Sequence, residues 1–200
     1  MREYLKFYIN GEWVDPVEPK TLDVINPADE SVCARISLGS EADVDKAVAA
    51  AKAAFESYGY SSREERIALM EGVVETYIKR YQDMADAIRT EMGAPKSLAE
   101  ADQAYSGRGH LEQALEVLRS YEFEEDLGPH RVIKEPIGVC GMITPWNWPV
   151  NQIACKVAPA LAVGCTVVLK PSEIAPLSAQ VFAEIMDEAG GPAGVFNMVN

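Results

Sequence analysis

No stretch of this 200-residue sequence approaches the roughly 18 uninterrupted apolar residues that a membrane-spanning helix needs. The first residues, "MREYLKFYING", carry charges at positions 2, 3 and 6 and no apolar core of signal-peptide length, so a secretory leader is not expected. Basic residues are scarce: 18 Lys and Arg face 31 Asp and Glu, a net charge of −13 spread over both halves. No basic patch stands out along the sequence, so a nucleic acid or an anionic membrane is not expected as partner. The four cysteines (33, 140, 155 and 165) form no CxxC pair and have no histidine at metal-ligand spacing, so no metal site is expected. They read as free thiols in a reducing compartment, by default the cytoplasm. Only two histidines exist, His110 and His130, neither near a predicted strand end, which disfavours a histidine general base. The glycine fingerprint G-x-G-x-x-G is missing too; Gly138 and Gly141 stand three apart inside a predicted strand.

What is present begins with strands and turns. "FYINGEWVD" places Asn-Gly between β-prone residues, and "VINPADESVCARISLG" repeats the theme with Asn-Pro. Helical periodicity follows. Ser40 is placed to cap a helix with Val44, Ala47, Val48, Ala51 and Phe55 on one face, ended by Gly59. Ser62 and Glu65 form a capping-box pattern that opens a longer helix, with a stripe through Ile67, Met70, Val74, Tyr77, Ile78, Tyr81, Met84, Ile88 and Met92. Gly93 and Pro95 stop it. A third helix is predicted from Ser97, with Glu100 at the box position, to about Arg119. The segment "YEFEEDLGPHRVIKEPIG" then alternates apolar and acidic residues around Gly128-Pro129. It reads as a hairpin polar on both faces, lying on the body or pairing with a second subunit.

From Ile137 the pattern is β-α-β. "IGVCGMIT" reads as a strand buried on both faces of a parallel sheet, and "WPVNQIACKVAPALAVG" as a helix that Pro159 should kink or leave irregular. "TVVLK", "PLSAQVFAEIMDEAG" and "GVFNMVN" continue as strand, helix and strand. The expectation is an α/β fold: a doubly wound Rossmann-like parallel sheet with N-terminal helices and a protruding β-arm.

In such a sheet, ligands bind beyond the carboxyl ends of the strands, and two motifs fall there: "TPWNWP" and "KPSE". Asn147 offers a neutral amide whose two N–H donors could hold an oxygen on which charge develops, with Trp146 and Trp148 as shields. It could equally cap the helix beginning near Trp148. Pro171 forces Lys170 into extended geometry, so residues 170–173 leave the sheet as a loop. Glu173 then stands where dinucleotide folds keep a carboxylate for the ribose hydroxyls, although the same four residues could simply cap the next helix. A carboxylate there repels a 2′-phosphate, which favours NAD over NADP. Lys156 reads as a surface lysine; Cys140, Cys155 and Cys165 read as core residues rather than nucleophiles.

Read as one stretch, "PWNWP", "KVAPALA" and "VVLKPSE" at these spacings, after the "YINGEWV…INPA" opening and "EPIGV", resemble the N-terminal part of an NAD(P)-dependent aldehyde dehydrogenase. The resemblance covers nearly the whole chain, and that family also lacks the glycine fingerprint. It implies that Asn147 matches the asparagine that helps hold the oxyanion of a thiohemiacetal. It implies that Ile143, Thr144, Pro145 and Trp146 line the nicotinamide end of the cofactor, and that Lys170, Ser172 and Glu173 surround the adenosine ribose. Residues 1–120 and 138–200 would form the cofactor-binding domain, and 121–137 an arm pairing subunits into a homo-oligomer, dimer or tetramer. The complete enzyme would oxidise an aldehyde to a carboxylic acid through a cysteine thioester. The nucleophilic cysteine, the glutamate base and the catalytic domain find no match in these 200 residues, and Cys165 sits where many members have asparagine. Two alternatives stand beside this expectation: a truncated, non-catalytic binding or oligomerisation module, and a dehydrogenase that passes its acyl group to coenzyme A.

Overall fold

The structure is a computed structural model and describes residues 2–200. Its N-terminal part contains β1 (Arg2–Tyr4), β2 (Phe7–Ile9), β3 (Glu12–Val14), β4 (Thr21–Ile25) and β5 (Val32–Ser37). Asn10 and Gly11, with φ of 57° and 76°, make the tight turn expected of Asn-Gly and pair Phe7 with Val14. β4 and β5 run antiparallel, and β1 joins β5 in parallel to complete a three-stranded sheet.

Helix α1 (Glu41–Tyr58) starts where Ser40 donates from both its backbone N–H and its Oγ to Asp43 Oδ2, at 2.9 and 2.8 Å. Its buried side is Asp43, Ala47, Ala51 and Tyr58; Val44, expected on that face, is exposed. Helix α2 (Arg63–Lys79) has the predicted reciprocal cap, with Glu65 N–H donating to Ser62 Oγ and Ser62 N–H to Glu65 Oε2. The single long helix expected to follow is two helices. Arg80 leaves helical geometry at φ −95° and ψ 12°, and α3 (Tyr81–Met92) begins after it. Within α2 itself the buried face runs through Met70, Val73 and Tyr77, so Val73, outside the expected stripe, is fully buried and Ile78 is exposed. Gly93 ends α3 in the left-handed region.

The third helix is also subdivided, into α4 (Lys96–Leu98), a π-helical segment Ala99–Gln103, and α5 (Ala104–Ser120). Its N-cap is Pro95, two residues before the expected Ser97. Ser97 therefore lies within the first turn, and the Ser97/Glu100 box does not form. β6 (Glu124–Leu127) and β7 (His130–Ile133) then form the expected hairpin, turning at Gly128 with φ 62°. All eight strand residues are exposed. Its root alone is anchored, with Phe123 beneath the guanidinium of Arg66 at 4.9 Å.

The remaining elements alternate: β8 (Val139–Ile143), α6 (Pro149–Ala162), β9 (Thr166–Lys170), α7 (Leu177–Glu188) and β10 (Phe196–Met198). β8, β9 and β10 are parallel neighbours, and the β2–β3 hairpin extends the sheet antiparallel beside β10, giving the order β3-β2-β10-β9-β8. Side chains alternate across β9. Val167 and Leu169 share the large core with α6 and α7, whereas Val168 joins Ala47 and Ala51 of α1 on the other face. Pro159 sits in the last turn of α6, where it removes one N–H bond without interrupting the helix. One expectation fails for β8. It has β9 on one side only, so Gly141 and Ile143 are exposed rather than buried on both faces. Along this edge and at the adjacent strand ends, Ile137 is 88% and Ile143 80% exposed, with Trp146 and Ile174 also open to solvent. Among the described residues no helix is long and apolar enough to cross a membrane.

Candidate functional site at the carboxyl ends of β8 and β9

The parallel register ends with Ile143 opposite Lys170, and one residue further on Thr144 N–H donates to Lys170 O at 3.2 Å. That bond brings the two sequence motifs side by side beyond the strand ends. Thr144 is buried beneath them, while Ile143, Pro145, Trp146 and Asn147 face outward. α6 takes Trp148 as its N-cap and Pro149 as its first residue, with no side-chain capping bond. Asn147 therefore does not cap the helix, and its amide is presented outward at the helix's start. The shielding expected of the tryptophans is not complete, since Asn147 is exposed and Trp146 half exposed.

On the neighbouring strand, Lys170 Nζ donates to Glu173 Oε2 at 2.7 Å. This hydrogen bond and the lysine charge hold the Glu173 carboxyl below the usual range, so it is ionised at neutral pH. Pro171 is buried, and Ser172 Oγ accepts the N–H of Ile174 at 3.2 Å, closing the loop locally. The loop does not cap α7, which begins at Leu177 after Pro176. The cap comes from a residue that sequence reasoning missed. Glu91, on α3 and 1% exposed, accepts the N–H of Leu177 and, at 3.0 Å, that of Ser178. Its signal is faint: position 91 lies three residues after Ile88 on the buried face, but the apolar stripe continues through Met92, which is only half-buried.

The other candidates lie away from the strand ends. His110 Nε2 is 2.5 Å from Asn151 Oδ1, tying α5 to α6. With Cys155, Pro159 and the Phe123 root, His110 lines an apolar pocket of about 390 Å³. Lys156 is not a free surface lysine: it is half-buried, and its Nζ folds back on Gln152 O and Oε1, both at 3.0 Å. Cys165 is buried as expected, and burial pushes the half-buried Cys140 thiol up to about 11, the reverse of what a nucleophile needs. Among the described residues, no three His, Cys, Asp or Glu side chains converge as a metal site.

The sequence model of the aldehyde dehydrogenase family matches residues 13–200. The chain belongs to that family. Over its full length it is 55% identical to 3-succinoylsemialdehyde-pyridine dehydrogenase of a Pseudomonas species, covering 42% of that relative. The crystal structure of an aldehyde dehydrogenase from Bartonella henselae superposes with a TM-score of 0.97 at 50% identity, over 100% of this chain and 43% of that one. Aldehyde dehydrogenase C from Pseudomonas syringae, as a cysteine-to-alanine variant complexed with NAD+ and octanal, superposes with a TM-score of 0.96 at 50% identity, over 98% and 40% of the two chains. The chain thus spans about two fifths of the length of the aldehyde dehydrogenases it matches. They share its α/β architecture.

Proposed function

We propose that these residues form the cofactor-binding N-terminal part of an NAD-dependent aldehyde dehydrogenase that oxidises an aldehyde to a carboxylic acid. The observation that carries the reading is the Thr144 N–H to Lys170 O bond, which sets the Asn147 amide and the Glu173 carboxylate on adjacent strand ends. These residues fit a dinucleotide. Glu173 is ionised and exposed, with Lys170 on only one of its two carboxylate oxygens, so the other can accept a ribose hydroxyl. Its charge disfavours a 2′-phosphate, which supports NAD rather than NADP. When bound, NAD would supply the hydride acceptor. The exposed Ile143, Pro145 and Trp146 would form an apolar floor under the nicotinamide end, with Ser172 beside the adenosine ribose.

Asn147 would donate its amide N–H groups to the substrate oxygen as negative charge gathers there, a role that needs a donor fixed before the reaction. The thiolate nucleophile and the base for the thioester would come from chain outside these residues. The solvent-exposed edge of β8 supports a longer sheet, because a free apolar edge of this kind is a liability that proteins cover. The exposed hairpin 121–137 would pair subunits. The test is NADH formation by the full-length enzyme across a panel of aldehydes. Asn147→Ala should lower kcat by about two orders of magnitude while leaving NAD affinity within about twofold. Equal turnover in the variant would remove Asn147 from the reaction, and absence of NADH from every aldehyde would overturn the dehydrogenase reading.

A further inference from the structure

Helix α3 lies antiparallel along α7 and holds it at both ends. At one end Arg80, where α3 begins, pairs with Glu184 at 2.7 Å and with Glu188, in the last turn of α7. At the other, Glu91 near the end of α3 accepts the first two N–H groups of α7. The charges complement the α7 dipole: a carboxyl group at its N-terminus and a guanidinium at its C-terminus. The two ends differ in surroundings. Arg80 is half-buried and also pairs with Asp83, whereas Glu91 is closed off from solvent and, among the described residues, has no cation paired with it. Facing it from β5 is the Cys33 thiol, and from α7 the backbone N–H groups and the Ser178 hydroxyl. Ser178 Oγ is itself buried without a hydrogen-bond partner among the described residues.

An isolated buried carboxyl is costly to retain where stability alone is at stake, because an apolar residue with a local cap would serve the helix as well. Its position suggests what it does. Leu177 lies four residues after Glu173, and the intervening backbone is short and constrained, with Pro176 before the helix and the Ser172–Ile174 bond before that. Fixing the N–H groups of Leu177 and Ser178 therefore fixes the frame in which the Lys170–Glu173 pair stands.

We propose that Glu91 is a positioning residue for the cofactor site: by capping α7 from α3 it holds the 170–176 loop in the conformation that presents Glu173 to the adenosine ribose. This rests on the NAD-binding reading above. A loop that is competent only part of the time weakens apparent affinity in proportion to the competent fraction. Glu91→Gln keeps one acceptor oxygen and turns an amide N–H₂ against the other backbone N–H, so one of the two bonds is lost. In the full-length enzyme this variant should raise the Kd and KM for NAD about fivefold, with kcat within about twofold of wild type.

Two further measurements separate positioning from simple loss of stability. Arg80→Gln weakens the far end of the same splint; it should lower Tm without moving the NAD Kd. Wild-type NAD Kd, measured by calorimetry from pH 6 to 8, should rise as pH falls through about 7, because a protonated Glu91 has one full acceptor oxygen left. That rise should be absent in Glu91→Gln; should this variant not fold, the wild-type profile decides alone. An unchanged NAD Kd in Glu91→Gln, an equal rise in Arg80→Gln, or a flat wild-type profile each overturns the proposal. Failure of the wild-type enzyme to bind NAD would overturn the proposal and the cofactor reading together. NAD binding without aldehyde turnover would overturn the reaction alone.

Discussion

Glu91 also makes a prediction about stability whose sign follows from its burial. Burial pushes its carboxyl from the ordinary 4.5 up to about 7, against the opposing pull of the Ser178 and Leu177 groups that hydrogen-bond to it. In the unfolded chain the group releases its proton near 4.5; in the folded protein it keeps it until about 7. Between those values the folded state binds more protons than the unfolded state, so stability falls as pH rises. The slope is about 1.4 kcal/mol per pH unit, and the whole window amounts to about 3 kcal/mol. The contribution is fully present below pH 4.5, is lost through pH 7, and is flat above. The assay is urea unfolding at constant ionic strength from pH 5 to 8, in wild type and Glu91→Gln, which cannot titrate. The difference between the two curves isolates Glu91. Carboxyls held low by their partners, such as Asp43 and Glu173, act in the opposite direction and below this window. A difference that declines by about 3 kcal/mol supports the reasoning, and parallel curves refute it.

Two other perturbations test the frame around the site. Gly107 on α5 has no room for a side chain, since a Cβ there would lie 2.5 Å from Tyr77 Oη and 2.9 Å from Val150 Cγ2. Gly107→Ala should therefore cost about 1–3 kcal/mol in thermal or urea unfolding, through overpacking where α2, α5 and α6 meet, and an unchanged Tm would contradict the packing. In the full-length protein, replacing the hairpin 121–137 by a short Gly-Ser linker should lower the mass measured by light scattering to that of a smaller assembly; an unchanged mass would remove the hairpin from subunit pairing.

The parts of this fold that the residues announce are those whose physics is local. Asn10-Gly11 demands positive φ at two consecutive positions, and the Ser62–Glu65 box satisfies helix-end donors within one turn. Pro171 after an apolar run likewise ends a strand, so the sequence itself places the Lys170–Glu173 motif at a strand end. What stayed hidden depends on partners far away in the chain. The break at Arg80 follows no glycine or proline, and the guanidinium at that break meets residues of α7 more than a hundred positions later. The cap of α7 comes from Glu91, 86 residues before Leu177, so no local pattern around Pro176 could disclose it. The exposure of β8 is legible only from the strand order, because an apolar run reads the same at a sheet's centre and at its edge. The two halves of the site divide along the same line. The identities of Asn147 and Glu173 can be read from their motifs, but the conformation in which the second is held is set by a helix that the motif does not contain.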